Sequence, residues 1–124
     1  MVISTDLDVV TARVRTREVA RVMGFGTIDQ ARISLAAGEL ARLLAESMVE
    51  QGEIIISSIS TAQHKGIQIV SMNPRTTENG SSAASDGHPQ QSKALSSVLK
   101  LADEGYIDPN DDRGIRVTLM KWLV

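Results

Sequence analysis

The chain contains no cysteine, which excludes disulfide scaffolds, thiolate nucleophiles and cysteine-ligated zinc. Aromatic side chains are almost absent: Phe25, Tyr106 and Trp122 are the whole set. A platform on which bases or sugars stack needs several such faces, so that binding mode is excluded. The core has to be built from Ile, Val, Leu, Ala and Met. No charge of one sign dominates either. Thirteen basic against fifteen acidic residues leave a formal net charge of −2, too little positive field for a broad surface that tracks nucleic-acid phosphates. No apolar run approaches the roughly 20 residues of a membrane span. Met1 to Asp8 lacks the basic start and apolar stretch of a signal peptide. The expectation is a cytoplasmic protein that engages neither nucleic acid nor membrane. What is present is ordinary: 124 residues, 42% hydrophobic and 23% charged, the composition of one folded domain over residues 1–124.

Helical periodicity opens at about Asp6 and runs to Met23. Val9, Ala12, Thr16, Val19, Ala20 and Met23 share one face, and Arg13, Arg15, Arg17 and Arg21 lie largely off it. Gly24 supplies a stop, with Phe25 packing just past it. The arginines form either a solvated face or a basic ridge for an acidic protein partner. A second helix starts at Thr27 or Asp29, either of which suits a cap. It carries Ile33, Ala36, Ala37, Leu40, Leu43, Leu44 and Met48 on its apolar side and ends near Gly52. Beyond Gly52 the pattern becomes extended. Glu53 to Ser60 and Gly66 to Met72 read as strands joined by the short polar stretch Thr61 to Lys65, an antiparallel hairpin. Asn73 to Ser92 is Ser-, Thr-, Gly-, Asn-, Gln- and Pro-rich, and a loop of that length is more often functional than structural. A third helix is predicted over Gln90 to Glu104, a turn at Pro109 to Gly114, and a last strand over Ile115 to Leu123, with a short N-terminal strand at Val2 and Ile3. Helices segregated from a small mixed, mostly antiparallel sheet define an α+β fold, a two-layer sandwich with the helices on one face.

These residues carry a resemblance. Asp8-Val-Val-Thr-Ala-Arg13, Arg17-Glu18, Gly24-Phe25-Gly26, Asp29-Gln30 and Glu39-Leu-Ala-Arg42 stand in an order that resembles the small anti-sigma-factor and switch serine kinases of bacterial partner-switching stress pathways. That family belongs to the GHKL ATPase superfamily, which has the histidine-kinase-like ATPase fold. Leu101-Ala-Asp-Glu104 and Gly114-Ile-Arg-Val117 running to Lys121-Trp122 extend the resemblance over nearly the whole chain. It implies a protein serine/threonine kinase mechanism. Glu39 would be the general base on a partner's serine, and an asparagine one helical turn later would hold Mg²⁺ on the phosphates. That second position is Leu43, which has no oxygen for a hard cation. The family's adenine-reading Asp-x-Gly-Pro-Gly corresponds to Ser71-Met72-Asn73-Pro74-Arg75. Its glycine-rich lid corresponds to Gln90-Gln91-Ser92-Lys93-Ala94-Leu95, which has no glycine to wrap phosphates. The closing Gly-Thr is Gly114-Ile115.

The resemblance thus implies the family's fold with a degenerate nucleotide site. Its cofactor-binding positions are Ser71, Asn73, Arg75 and Lys93, its catalytic candidate is Glu39, and no cofactor is expected. What is left is a regulator that acts by binding another protein through Arg13, Arg17, Glu39 and Arg42 and the 73–92 loop. In the family the partner is a STAS-domain antagonist, a sigma factor or a phosphatase, and a homodimer is compatible with it. The alternative is an active kinase that uses Mg-ATP with Glu39 as base and Ser71 or Asn73 reading adenine. A further alternative is a structural subunit of a larger signalling assembly. Glu39 also reads as a rim residue paired with Arg42 or Arg75. His64 and His88 lack metal-ligand spacing, and Asn110, Asp111 and Asp112 read as a turn rather than a calcium loop. Ser81, Ser82 and Ser85 are loop hydroxyls that phosphate can modify. No metal site is expected.

Overall fold

The computed structural model describes residues 1–46, 52–73, 95–111 and 114–123. Helix α1 spans Asp6–Met23. Its start is a capping box: the Thr5 hydroxyl accepts from the Asp8 amide, and the Asp8 carboxylate accepts from the Thr5 amide at 3.0 Å. Its end is the expected glycine stop. Gly24 sits at φ 98°, its amide donating to Arg21 O and the Phe25 amide to Ala20 O, and this pairing turns Phe25 into the core at 4% exposure.

Helix α2 spans Thr27–Glu46. Gly26, rather than Thr27 or Asp29, takes the cap position, because its carbonyl accepts the first helical bond from the Gln30 amide. Residues 47–51, which would carry the helix to Gly52, lie outside the described residues. The two helices approach closely along a face of small residues. Ser34 Oγ donates to Arg13 O at 3.1 Å. The Arg13 stem lies over Gly38, where an added Cβ would sit 2.5 Å from Arg13 Cγ.

The sheet has four strands: β1 (Glu53–Ser60), β2 (Lys65–Asn73), β3 (Glu104–Asp111) and β4 (Gly114–Trp122). Their order is β1-β2-β4-β3 and every pairing is antiparallel, so the sheet is not mixed. The predicted hairpin forms β1 and β2. The N-terminal strand reduces to a single bridge, Val2 to Glu53, with Ile3 buried beside it. One expectation fails clearly. The third helix was extended to Glu104, but only residues 95–99 of it are helical among the described residues. Amides of Lys100, Leu101 and Ala102 then bond three residues back, the tightening that ends a helix. From Glu104 the chain is strand β3, which the sequence reading omitted. Of the 109–114 turn signal, residues 109–111 belong to β3, with a register irregularity between Asp108 and Asp111, and Gly114 opens β4; 112 and 113 lie outside the described residues.

Strand alternation assigns the two sheet faces. Ile54, Ile67, Ile69, Val117 and Leu119 point toward the helices and join Ile33, Leu40, Leu44 and Val98 in one core. This is the α+β, two-layer arrangement expected from the sequence. No helix among the described residues is long and apolar enough to cross a membrane.

Candidate functional site

Antiparallel register brings distant residues together where α2 overlies the ends of the central strands. Ser71 pairs with Val117 and Asn73 with Ile115, so all four side chains share the helix-facing side. Leu40, Leu43 and Leu44 reach them from about one turn of α2, and Leu95 comes from the short helix. Together they line a partly open cleft of about 450 Å³. Ser71 is buried. Asn73 Oδ1 is also buried, and it has no hydrogen-bond partner among the described residues.

Leu43, Ser71, Asn73 and Ile115 are four of the positions at which the sequence departs from the nucleotide motifs, and the fold gathers these four in one cleft. Leu40, Leu44 and Val117, and Leu95, which ends the segment read as the lid's counterpart, complete its wall. For Val117 the signal was strand register, which no single sequence displays. Glu39 is half-buried on α2 and does not line the cleft. Its carboxylate accepts from Arg42 Nη2, and Arg42 also reaches the Glu46 carboxylate at 3.7 Å. The Glu39 hydrogen bond and charge hold the Arg42 guanidinium above its ordinary pKa. Of the two pairings open to Glu39, the one with Arg42 is formed. Arg13 and Arg17 are exposed on α1. Arg75, Lys93, the loop serines Ser81, Ser82 and Ser85, His88 and Asp112 lie outside the described residues. His64 is exposed, with its ring 5.9 Å from that of Trp122. No cluster of His, Asp and Glu suited to a metal occurs among the described residues.

The other end of the same sheet face holds an ion-pair network. Lys121 is 8% exposed and lies 3.1 Å from Asp103 and 3.6 Å from Asp29. Asp103 also accepts from the Trp122 amide at 2.8 Å. Burial pushes the Asp103 carboxyl up, but the Trp122 amide, the Lys121 hydrogen bond and the Lys121 charge outweigh it and hold it below its usual value. Glu104 accepts from the Trp122 indole and the Tyr106 hydroxyl, and both hold its carboxyl down. This network ties the start of α2 and the entry into β3 to β4. Its polar groups are all partnered, which marks it as structural.

Mg²⁺ takes carboxylate, amide or water oxygens in near-octahedral geometry, and Leu43 offers none where the kinase motif places its asparagine. The described lining residues include no charged group, and Arg75 and Lys93 lie outside the described residues.

No protein-family model matches the chain. Over 129 aligned residues, 98% of this chain and 93% of the relative, it is 32% identical to the serine/threonine-protein kinase RsbT of Bacillus subtilis (strain 168). An identity of that size over nearly the full length of both proteins, joined to helices packed on one face of an antiparallel sheet, places the chain among the small anti-sigma-factor and switch serine/threonine kinases of bacterial partner-switching pathways, and it belongs to that family.

Proposed function

We propose that this protein is a non-catalytic member of its family that regulates by binding another protein. The observation that carries this reading is the chemistry of the cleft. At the positions that should hold magnesium, adenine and the closing strand's hydroxyl it presents Leu43, Ser71 with Asn73, and Ile115. Glu39, the base of the kinase alternative, spends its carboxylate on Arg42. The partner is of the kind the family engages, a STAS-domain antagonist, a sigma factor or a phosphatase.

Helix α1 offers the surface. Leu7, Val10 and Val14 are 73%, 52% and 62% exposed and recur at the spacing of one helix face, with Arg17 one turn further on. Apolar groups lined up in water beside a cation favour a protein partner with an apolar and acidic surface. Exposed Arg13 and the Glu39–Arg42 pair extend it toward α2. Binding is then governed by the state of the partner rather than by bound ATP.

The test is gel filtration of the purified protein with a STAS-domain antagonist from the same genome, with and without Mg-ATP, followed by mass spectrometry of the antagonist's serines. A complex that forms equally in both conditions, weakens in Arg17→Glu and leaves the serines unmodified is expected. Phosphate on an antagonist serine that disappears with Glu39→Ala would establish the active kinase instead.

A further inference from the structure

The two edges of the sheet are built differently. Strand β3 carries Glu104, Asp108, Pro109 and Asp111 and an irregular register, the features that keep an edge from pairing with another chain. Strand β1, the opposite edge, has none of them. From Ile54 to Ser60 it reads Ile-Ile-Ile-Ser-Ser-Ile-Ser, uncharged and in unbroken register with β2. The N-terminal residues cover only the start of this edge. Ile3 donates to Gly52 O, and Ile54 exchanges backbone bonds with Met1 at 2.9 and 2.7 Å. Antiparallel alternation turns the amides and carbonyls of Ile56, Ser58 and Ser60 the same way. Nothing among the described residues pairs with them. Beside this edge a groove between α1 and β1 is lined by Val19, Ile54 and Ile56, with exposed Arg15 and Glu18 on its helix side.

We infer that two copies of this protein associate through their β1 edges, antiparallel about a twofold axis at Ser58, so that two four-stranded sheets become one. The occupant is a second copy because the edge complements itself. Centred on Ser58, residues 56–60 pair with themselves clear of Met1, and no charge on the strand meets a like charge. A twofold interface sets the same patch against itself. The groove offers one cation and one anion, so Arg15 of each copy meets Glu18 of the other. Glu18 is also paired with Arg21 on its own helix, whereas Arg15 has no partner among the described residues. Nothing in this contact draws on the cleft under α2, so it is independent of the loss of nucleotide binding.

The experiment is sedimentation equilibrium of the whole chain from micromolar to millimolar concentration, with amide hydrogen exchange at both ends of the range. A monomer–dimer equilibrium is expected, in which the Ile56 and Ser58 amides exchange about tenfold more slowly at the concentrated end. Ser58→Pro removes an outward amide that carries no bond within the monomer. It should keep the monomer's circular-dichroism spectrum and stay monomeric throughout. Should proline disturb the fold, the charge variants decide. Arg15→Glu weakens the dimer about tenfold over its two symmetric contacts, and adding Glu18→Arg restores it. A wild-type protein that is monomeric throughout would overturn the inference and leave the edge to a strand of another protein. A dimer whose Ile56 and Ser58 amides exchange no more slowly than the monomer's, or one that survives in folded Ser58→Pro, would overturn it by placing the contact elsewhere.

Discussion

Replacing Leu43 by asparagine tests whether one missing oxygen is all that separates this cleft from a nucleotide site. Leu43 is half-buried on α2 and meets Leu40, Leu44 and Ile115 at the cleft. Full burial of a leucine contributes about 1.5–3 kcal/mol, so half of it amounts to about 1 kcal/mol. Placing an amide against the remaining leucines without a partner adds about 1 kcal/mol more. The variant should therefore be about 2 kcal/mol less stable. At about 4 °C per kcal/mol for a domain of this length, its Tm should fall by about 8 °C. Circular-dichroism melting with and without millimolar Mg-ADP reads both halves of the argument. The same fall is expected in the two conditions, because Ser71, Asn73 and Ile115 still deny adenine and ribose their contacts. A nucleotide present at about 100 times its Kd would add about 2.7 kcal/mol. A variant that recovers about 10 °C in Mg-ADP would refute the reasoning, since a single residue would then have been the whole defect.

Gly66→Ala should cost about 2–3 kcal/mol in urea unfolding. The added Cβ would lie 2.5 Å from the Lys121 carbonyl oxygen, a backbone atom of the paired strand that cannot turn aside; a loss under about 0.5 kcal/mol would show that β2 and β4 are not so close. Thr16→Val should raise stability by about 1 kcal/mol, because the Thr16 hydroxyl is fully buried without a partner among the described residues and the substitution keeps its shape. A destabilised variant would mean that the hydroxyl is satisfied in solution. The Asp103 carboxyl is held below its usual value in the folded state, so its contribution is complete above the unfolded-state pKa near 4 and is lost as pH falls through the lower folded value. The stability gap between wild type and Asp103→Asn should accordingly be full at pH 6 and shrink below pH 4; a gap independent of pH would remove the Lys121–Asp103 pair as its source.

How much was legible follows from where the information lies. The bounds of α1 could be read because its apolar period stops at Gly24, and a positive φ there is a local demand. The cap of α2 could not, because Thr27 and Asp29 both have capping side chains. Asp29 instead faces Lys121, a residue more than ninety positions away. Strand β3 was hidden for a similar reason. Val98, Leu99 and Ala102 continue a helical pattern toward Glu104, and only the pairing of Glu104 with Met120 reveals that the helix has ended. Gly105 was the missed local clue. A Cβ there would lie 2.3 Å from Leu99 Cδ2, so the strand passes under that leucine only because Gly105 has no side chain. For the cleft, Leu43, Ser71, Asn73 and Ile115 could be named from motif positions. Val117 could not be distinguished from core, since wall and core residues have the same chemistry and differ only in what the register sets opposite them.

The most direct test of the loss of nucleotide chemistry is isothermal titration calorimetry of the unmodified protein with Mg-ATP and Mg-ADP at millimolar concentrations. The account predicts no saturable heat from either, because the cleft offers neither an oxygen at position 43 for the metal nor a carboxylate at position 71 for adenine. A saturable isotherm with a Kd below about 1 mM, equivalent to about 4.1 kcal/mol of binding, would contradict it.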